Sequence, residues 1–296
     1  MRVLRATHLG MCFGVRQALA QAQAYAQCQP LTILGELVHN PTVLDGLRAQ
    51  GVHIVHQVSQ VPTRTVMITA HGASERMLGQ LRARGLTVVE GTCPLVRRLH
   101  RAVRQLVAAG YHPVIIGQRH HVEVRGLTED LDQYDVVLSA DDVAALQPRP
   151  RFGVVAQTTQ PVDKVHQLVE LLHQRFPNSA VRFIDTVCLP TKQRQRAALR
   201  LAQQCQAVVV VGGLHSNNTL ELVATCRRVC ARVYHVQTAA ELQRDWFAEI
   251  DTVGLTAGTS TPDSVIAEVE QRLVQWSDSA AQPAAIPAQP HGLTVA

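Results

Sequence analysis

Hydrophobic positions along this chain repeat one arrangement three times. A cysteine opens each copy, and apolar residues then recur at helical spacing. After Cys12 they are Val15, Ala18, Leu19 and Ala22; after Cys93 they are Val96, Leu99, Val103, Leu106 and Val107. The third copy starts at Cys188 and reads CLPTKQRQRAALRLAQQ. A short apolar strand ending in glycine follows each helix, in LTILG, VIIG and VVVVG. These glycines, Gly35, Gly117 and Gly212, stand 23, 24 and 24 residues past their cysteines. Four residues beyond each glycine comes His39, His121 or Ser216, and six beyond the last two come Glu123 and Asn218. A second strand and polar loop follow, in VMITAHGAS, VVAQTTQP and VGLTAGTSTP, and then an amphipathic helix.

This alternation predicts an α/β protein of three units with parallel sheets and crossover helices. The polar loops then lie at the carboxyl ends of strands, where open α/β sheets bind ligands. The boundaries fall at 1–94 (with the N-terminal strand), 95–187 and 188–276. The third unit lacks a closing strand, which the strand before Cys12 can supply. Three units would then form a pseudo-threefold ring, with all three cysteines and all six loops facing one central cavity. Residues 277–296, rich in Ala, Pro and Gln, read as a disordered tail without assigned function.

Bulk properties narrow the chemistry. The chain has 296 residues, 46% of them apolar and 17% charged, which suits two or three folded domains. A net charge of +5 favours an anionic ligand or an acidic electron carrier. The absence of a long Lys/Arg run and an aromatic content of 4% argue against nucleic acid. No apolar run is long enough for a membrane span and the N-terminus lacks a signal-peptide core, so a cytoplasmic location is expected.

Seven cysteines, an odd count, argue for metal binding, catalysis or plain burial over a disulfide framework. Cys28, Cys205, Cys226 and Cys230 read as small core hydrophobes. Cys12, Cys93 and Cys188 each sit at a strand-to-helix junction, where a helix N-terminus favours the thiolate. Three such thiolates suit three irons of a four-iron cluster, with the fourth open to substrate. Structural zinc with a histidine as fourth ligand is the competing reading. His39, His71, His121, Ser216, Asn218 and Ser260 are donors suited to a diphosphate. Glu123 is the one carboxylate among the matched loop positions, as a proton-coupled reduction requires. No GxGxxG fingerprint is present.

The stretches GMCFGV, ELVHN, TAHGAS, TCPLV, HVEVRG, QTT, VCLPTKQRQ, HSNN and TAGTSTP together resemble the 4-hydroxy-3-methylbut-2-enyl diphosphate reductase family, over residues 1 to about 276. The resemblance implies a 4Fe–4S cluster on Cys12, Cys93 and Cys188 at the centre of three α/β domains. It implies that His39, His71, His121, Ser216, Asn217, Asn218 and Ser260 hold the diphosphate. Glu123 would be the proton source, with Thr158 beside it at the substrate hydroxyl and Thr191 near the substrate. The implied reaction is a two-electron reductive dehydroxylation, with a ferredoxin or flavodoxin as donor. Phe13, Gln118, His120, Val122, Arg125, Leu127, Leu189-Pro190 and Asn217 depart from the family's pattern. Arg125, two residues from Glu123, is expected to depress that acid's pKa or to engage an anion. These departures leave two alternatives: a paralogue acting on another allylic or phosphorylated substrate, and a non-catalytic cluster-binding sensor.

Overall fold

The computed structural model describes residues 1–281. The first run of elements is β1 (Arg2–Arg5), α1 (Phe13–Cys28), β2 (Leu31–Leu34), α2 (Pro41–Ala49), β3 (His53–Val55), β4 (Thr65–Ile68), α3 (Glu75–Ala83) and β5 (Thr87–Glu90). The second is α4 (Pro94–Ala108), β6 (His112–Ile116), α5 (Val122–Thr128), β7 (Asp135–Val137), α6 (Ala140–Ala144), β8 (Arg151–Ala156), α7 (Val162–Arg175) and β9 (Ala180–Phe183). The third is α8 (Leu189–Ala202), β10 (Ala207–Val211), α9 (Asn217–Arg227), β11 (Arg232–Val236), β12 (Thr252–Ala257) and α10 (Asp263–Ala281).

Three parallel four-stranded sheets result, ordered β3-β2-β4-β5, β7-β6-β8-β9 and β1-β12-β10-β11. Their central strands are buried on both faces, as crossover helices demand. In β10, AVVVV, no side chain is exposed, and each buried valine contributes about 1.5 kcal/mol or more. Chain order grouped β1 with the first unit. Its hydrogen bonds put it in the third sheet, with Val3 opposite Val253 and Leu4 opposite Gly254. Strands β5, β9 and β1 each occupy the same sheet edge, and each leads into a cysteine. The repeat is therefore a ring in which every sheet delivers the next cysteine.

Two features were not anticipated from the hydrophobic pattern. Each sheet gains a fourth strand, β3, β7 or β11, at its other edge. HIV and DVV are only three residues long, and the exposed His53 and Arg232 break the apolar signal in β3 and β11. Helix α10 runs to Ala281, past the expected start of the tail at 277. The rest of the expected tail lies outside the described residues. No helix among the described residues is long and apolar enough to cross a membrane.

The approach to the second cysteine depends on Gly91. A Cβ there would lie 2.2 Å from the Ile68 carbonyl oxygen and 2.6 Å from the Met67 methyl. The chain leaving β5 thus passes directly over the end of β4. Gly91→Ala is expected to cost about 3 kcal/mol in a urea denaturation series, at the upper end for overpacking because the obstacle is backbone. A cost near zero would mean that this crossing relaxes freely.

Candidate active site

The repeat brings three cysteines to one chamber. Cys12, Cys93 and Cys188 are the N-caps of α1, α4 and α8, and none uses its side chain as a cap. Each backbone N–H donates to a carbonyl two residues past a central strand: Cys12 to Thr259 (3.1 Å), Cys93 to Ala70 (3.1 Å) and Cys188 to Thr158 (3.0 Å). These bonds fix where each helix begins. They also align Ala70, Thr158 and Thr259 as equivalent positions of the ring. All six residues line one cavity, together with Glu123 and Thr191. Gly14 makes room there, since a Cβ on it would lie 2.5 Å from Cys93 Sγ.

The helix N-terminal amides do favour the thiolates of Cys93 and Cys188, but they are not the dominant effect. Burial is the main effect on Cys93 and Cys188, and it pushes both thiols up, Cys188 to about 11. A hydrogen bond to Thr191 Oγ1 (3.1 Å) and the helix terminus offset this only partly. A terminus contributes about 1 kcal/mol, less than burying a charge costs. A metal taken up here must therefore expel protons. Among the other cysteines, Cys226 and Cys230 are buried and Cys205 partly so, whereas Cys28, expected in the core, is exposed at the end of α1.

Glu123 is fully buried in the wall of this chamber, 2% exposed. Thr158 holds both its oxygens: the backbone N–H donates to Oε1 at 2.6 Å and the hydroxyl meets Oε2 at 2.7 Å. Burial outweighs these bonds and raises its pKa to about 7. Arg125 does not lower it. That side chain is 64% exposed, lies 3.8 Å from Glu129 and lines a separate cleft between the first and second units.

A second cavity adjoins the first. They share Val15, His71, Thr159 and Thr259. His39, His71, His121, Ser216, Asn217, Asn218 and Ser260 all line the second. The three imidazoles form a triangle, with His39 stacked on His71 at 4.4 Å and His121 edge-on at 5.4 and 5.6 Å. Burial and mutual repulsion lower the pKa of His71 well below normal and bring His121 to about 4. His39 Nδ1 is tied to Glu36 at 2.9 Å. His71 Nδ1 and Asn218 Nδ2 are buried without partners, an arrangement that awaits a ligand. Ser216 Oγ accepts from Thr219 N–H at the start of α9, so its own proton is free to donate.

Thr159 was missed in the sequence. The cysteine bonds show why it belongs: if Thr158 matches Ala70 and Thr259, then Thr159 matches His71 and Ser260. The QTT stretch held the signal, but the register of its two threonines needs the Cys188–Thr158 bond.

The model of the LytB protein family matches residues 3–274. The chain belongs to the LytB family. A LytB relative from Trichlorobacter lovleyi, named 4-hydroxy-3-methylbut-2-enyl diphosphate reductase, is 38% identical over 94% of this chain and 100% of its own length. The like-named protein of Geobacter sulfurreducens is 34% identical over 94% of this chain and 99% of its own. A solved structure of the Plasmodium falciparum reductase superposes with a TM-score of 0.86 at 25% identity, covering 92% of this chain and 86% of that one. Another, described as the terminal enzyme of the non-mevalonate pathway, gives 0.68 at 33% identity, covering 92% and 99%.

His121 provides a pH test of this LytB site. Its pKa near 4 in the free protein leaves it neutral at pH 6–7. A bound anion favours the imidazolium, so binding should draw a proton and tighten as pH falls. Calorimetry of pyrophosphate binding in buffers of different ionisation heat is expected to show greater proton uptake for the wild type than for His121→Gln. Equal uptake would exclude protonation of His121 on anion binding.

Proposed function

We propose that this chain reduces 4-hydroxy-3-methylbut-2-enyl diphosphate to isopentenyl and dimethylallyl diphosphate, taking up two electrons and two protons and releasing the hydroxyl as water. The observation that carries this reading is the pair of joined cavities. One ligand can span them, with its diphosphate among the histidines and its hydroxyl end against Glu123 and the cysteines.

The residues fit the 4Fe–4S cluster that the family resemblance implies. Cys12, Cys93 and Cys188 carry no side-chain cap bond and line a chamber that Gly14 keeps open at Cys93. All three line one cavity, as one thiolate per iron of a cluster would need. When bound, the cluster supplies single electrons and an iron without a protein ligand.

The chain's own residues do the rest. His39, His71, His121, Ser216, Asn218 and Ser260 hold the diphosphate with imidazole, hydroxyl and amide donors. Thr159 joins them as the ring equivalent of His71 and Ser260. Glu123, with its pKa near 7, is substantially protonated at neutral pH and gives that proton to the departing hydroxyl. Thr158 fixes the direction of transfer by holding both carboxyl oxygens, and Thr191 packs against Cys188. The buried walls of the chamber exclude water from the transfer.

A ferredoxin or flavodoxin serves as donor. Phe13 and Leu189, each directly after a cysteine, are 51% and 62% exposed. Arg16, Arg97 and Lys192 lie four residues after the three cysteines, one helical turn on, and α1, α4 and α8 have no acid in their first turns. Asp263 and Asp185 pair with Arg16 and Lys192, whereas Arg97 donates to the Thr92 carbonyl and has no ion pair among the described residues. An apolar and basic rim suits a small acidic carrier.

Anaerobically reconstituted protein with a full cluster should consume the allylic diphosphate when given a strong one-electron reductant; no turnover would overturn the proposal. Glu123→Gln is expected to lower kcat at least 100-fold while the cluster's visible spectrum and pyrophosphate affinity persist. Wild-type activity should fall as pH rises past 7, where Glu123 loses its proton. Leu189→Asp is expected to raise KM for reduced ferredoxin about tenfold and to leave turnover with a small viologen reductant unchanged.

A further inference from the structure

Gln118 and Asn217, two of the departures from the family's pattern, are 99 residues apart in sequence and touch each other. Gln118 Nε2 donates to Asn217 Oδ1 at 2.7 Å. Asn217 Nδ2 donates to both oxygens of Thr159, at 2.8 Å to the hydroxyl and 3.3 Å to the carbonyl. Gln157 Nε2 donates to the same Thr159 hydroxyl at 3.1 Å, and Gln157 Oε1 accepts from the Gln118 backbone N–H at 3.0 Å. Four side chains thus close a circuit between two loops of the second unit and the first residue of α9 in the third. Gln157 and Asn217 are buried, at 0% and 3% exposure, so water offers no substitute for these bonds.

The circuit uses both polar groups of the Asn217 amide. Its oxygen is taken by Gln118 and its nitrogen by Thr159, although Asn217 lines the diphosphate cavity. The groups beside it are in a different state. Asn218 Nδ2 has no partner, and Ser216 retains a free hydroxyl proton. Asn217 therefore has the bonding of a strut, flanked by two groups with the bonding of ligands.

Resting on the diphosphate reading above, we propose that Gln118 is a positioning residue for diphosphate binding: through Asn217 it holds the start of α9 against Thr159, so that Ser216, Asn218 and Thr159 face the ligand in register. Asn217 is a strut and not a ligand. The paired departures at 118 and 217 then form one substitution, since each side chain answers the other.

The test is a double-mutant cycle on the full-length, cluster-loaded protein with pyrophosphate as the probe. Gln118→Ala and Asn217→Ala are each expected to weaken pyrophosphate about fivefold, the worth of one neutral hydrogen bond, and the double variant to weaken it no further. KM for the allylic diphosphate should rise with kcat within about twofold, a split that general loss of folding does not produce. Normal affinity in Gln118→Ala beside weakened Asn217→Ala, or losses that multiply in the double variant, would overturn the strut and make Asn217 a ligand. Hydrogen exchange without ligand gives an independent readout. Gln118→Ala should speed exchange at 157–160 and 216–220 together, and unchanged rates there would also overturn the proposal. If wild type fails to bind pyrophosphate, the diphosphate reading falls, and the exchange rates still decide whether the circuit holds.

Discussion

Thr158 is the residue on which the site turns, because it holds the acid and a cysteine at once. Its carbonyl accepts from the Cys188 N–H, and its own N–H and hydroxyl grip Glu123. The start of α8, the third thiol and the buried carboxyl are thereby referred to one residue just past β8. Without that grip, a carboxyl buried in this wall would have no fixed direction. The cost is definite. With a folded pKa near 7 against about 4.5 unfolded, Glu123 imposes no stability penalty below pH 4.5. The penalty grows between pH 4.5 and 7 and amounts to roughly 3 kcal/mol above that range. A fold that bears this cost keeps a proton available at neutral pH.

The same balance between burial and local bonds governs the thiols. In Cys93 and Cys188 burial wins, and protonated sulfur is the resting state of the metal-free chain. A metal bound by these sulfurs would displace those protons, so its uptake would depend on pH. In His71 and His121 burial wins again, with the opposite effect on charge: it favours the neutral imidazole. Desolvation thus disfavours charge on sulfur and on imidazole alike.

Much of this was legible in the sequence because it repeats. Three cysteines, three glycines at near-constant offsets and polar residues at matched positions disclose three units and the faces they share. What stayed hidden has physical reasons. Strands β3, β7 and β11 are edge elements, the first two only three residues long and β3 and β11 opening on an exposed polar residue, so their apolar signal is weak. The division into two cavities depends on where Val15, Thr159 and Thr259 come together from different units. The meeting of Gln118 with Asn217 is a tertiary contact with no local signature, and Arg125 faces away from Glu123 because residues two apart on a helix do not share a face.

The places where the repeat fails fit the reading proposed for its centre. Cysteine is kept in all three copies, and so is its backbone bond to the loop of a central strand. A site that keeps threefold symmetry suits a ligand whose corners are equivalent, as three irons of a cube are. The loops do not keep it. One ring of equivalent positions holds His39, His121 and Ser216, another holds His71, Thr159 and Ser260, and a buried acid occurs in only one copy, as Glu123. A substrate with one charged end and one reacting oxygen has no threefold axis, so the positions that touch it must diverge. Symmetry retained at the sulfurs and broken in the loops is what a symmetric cofactor beneath an asymmetric substrate requires.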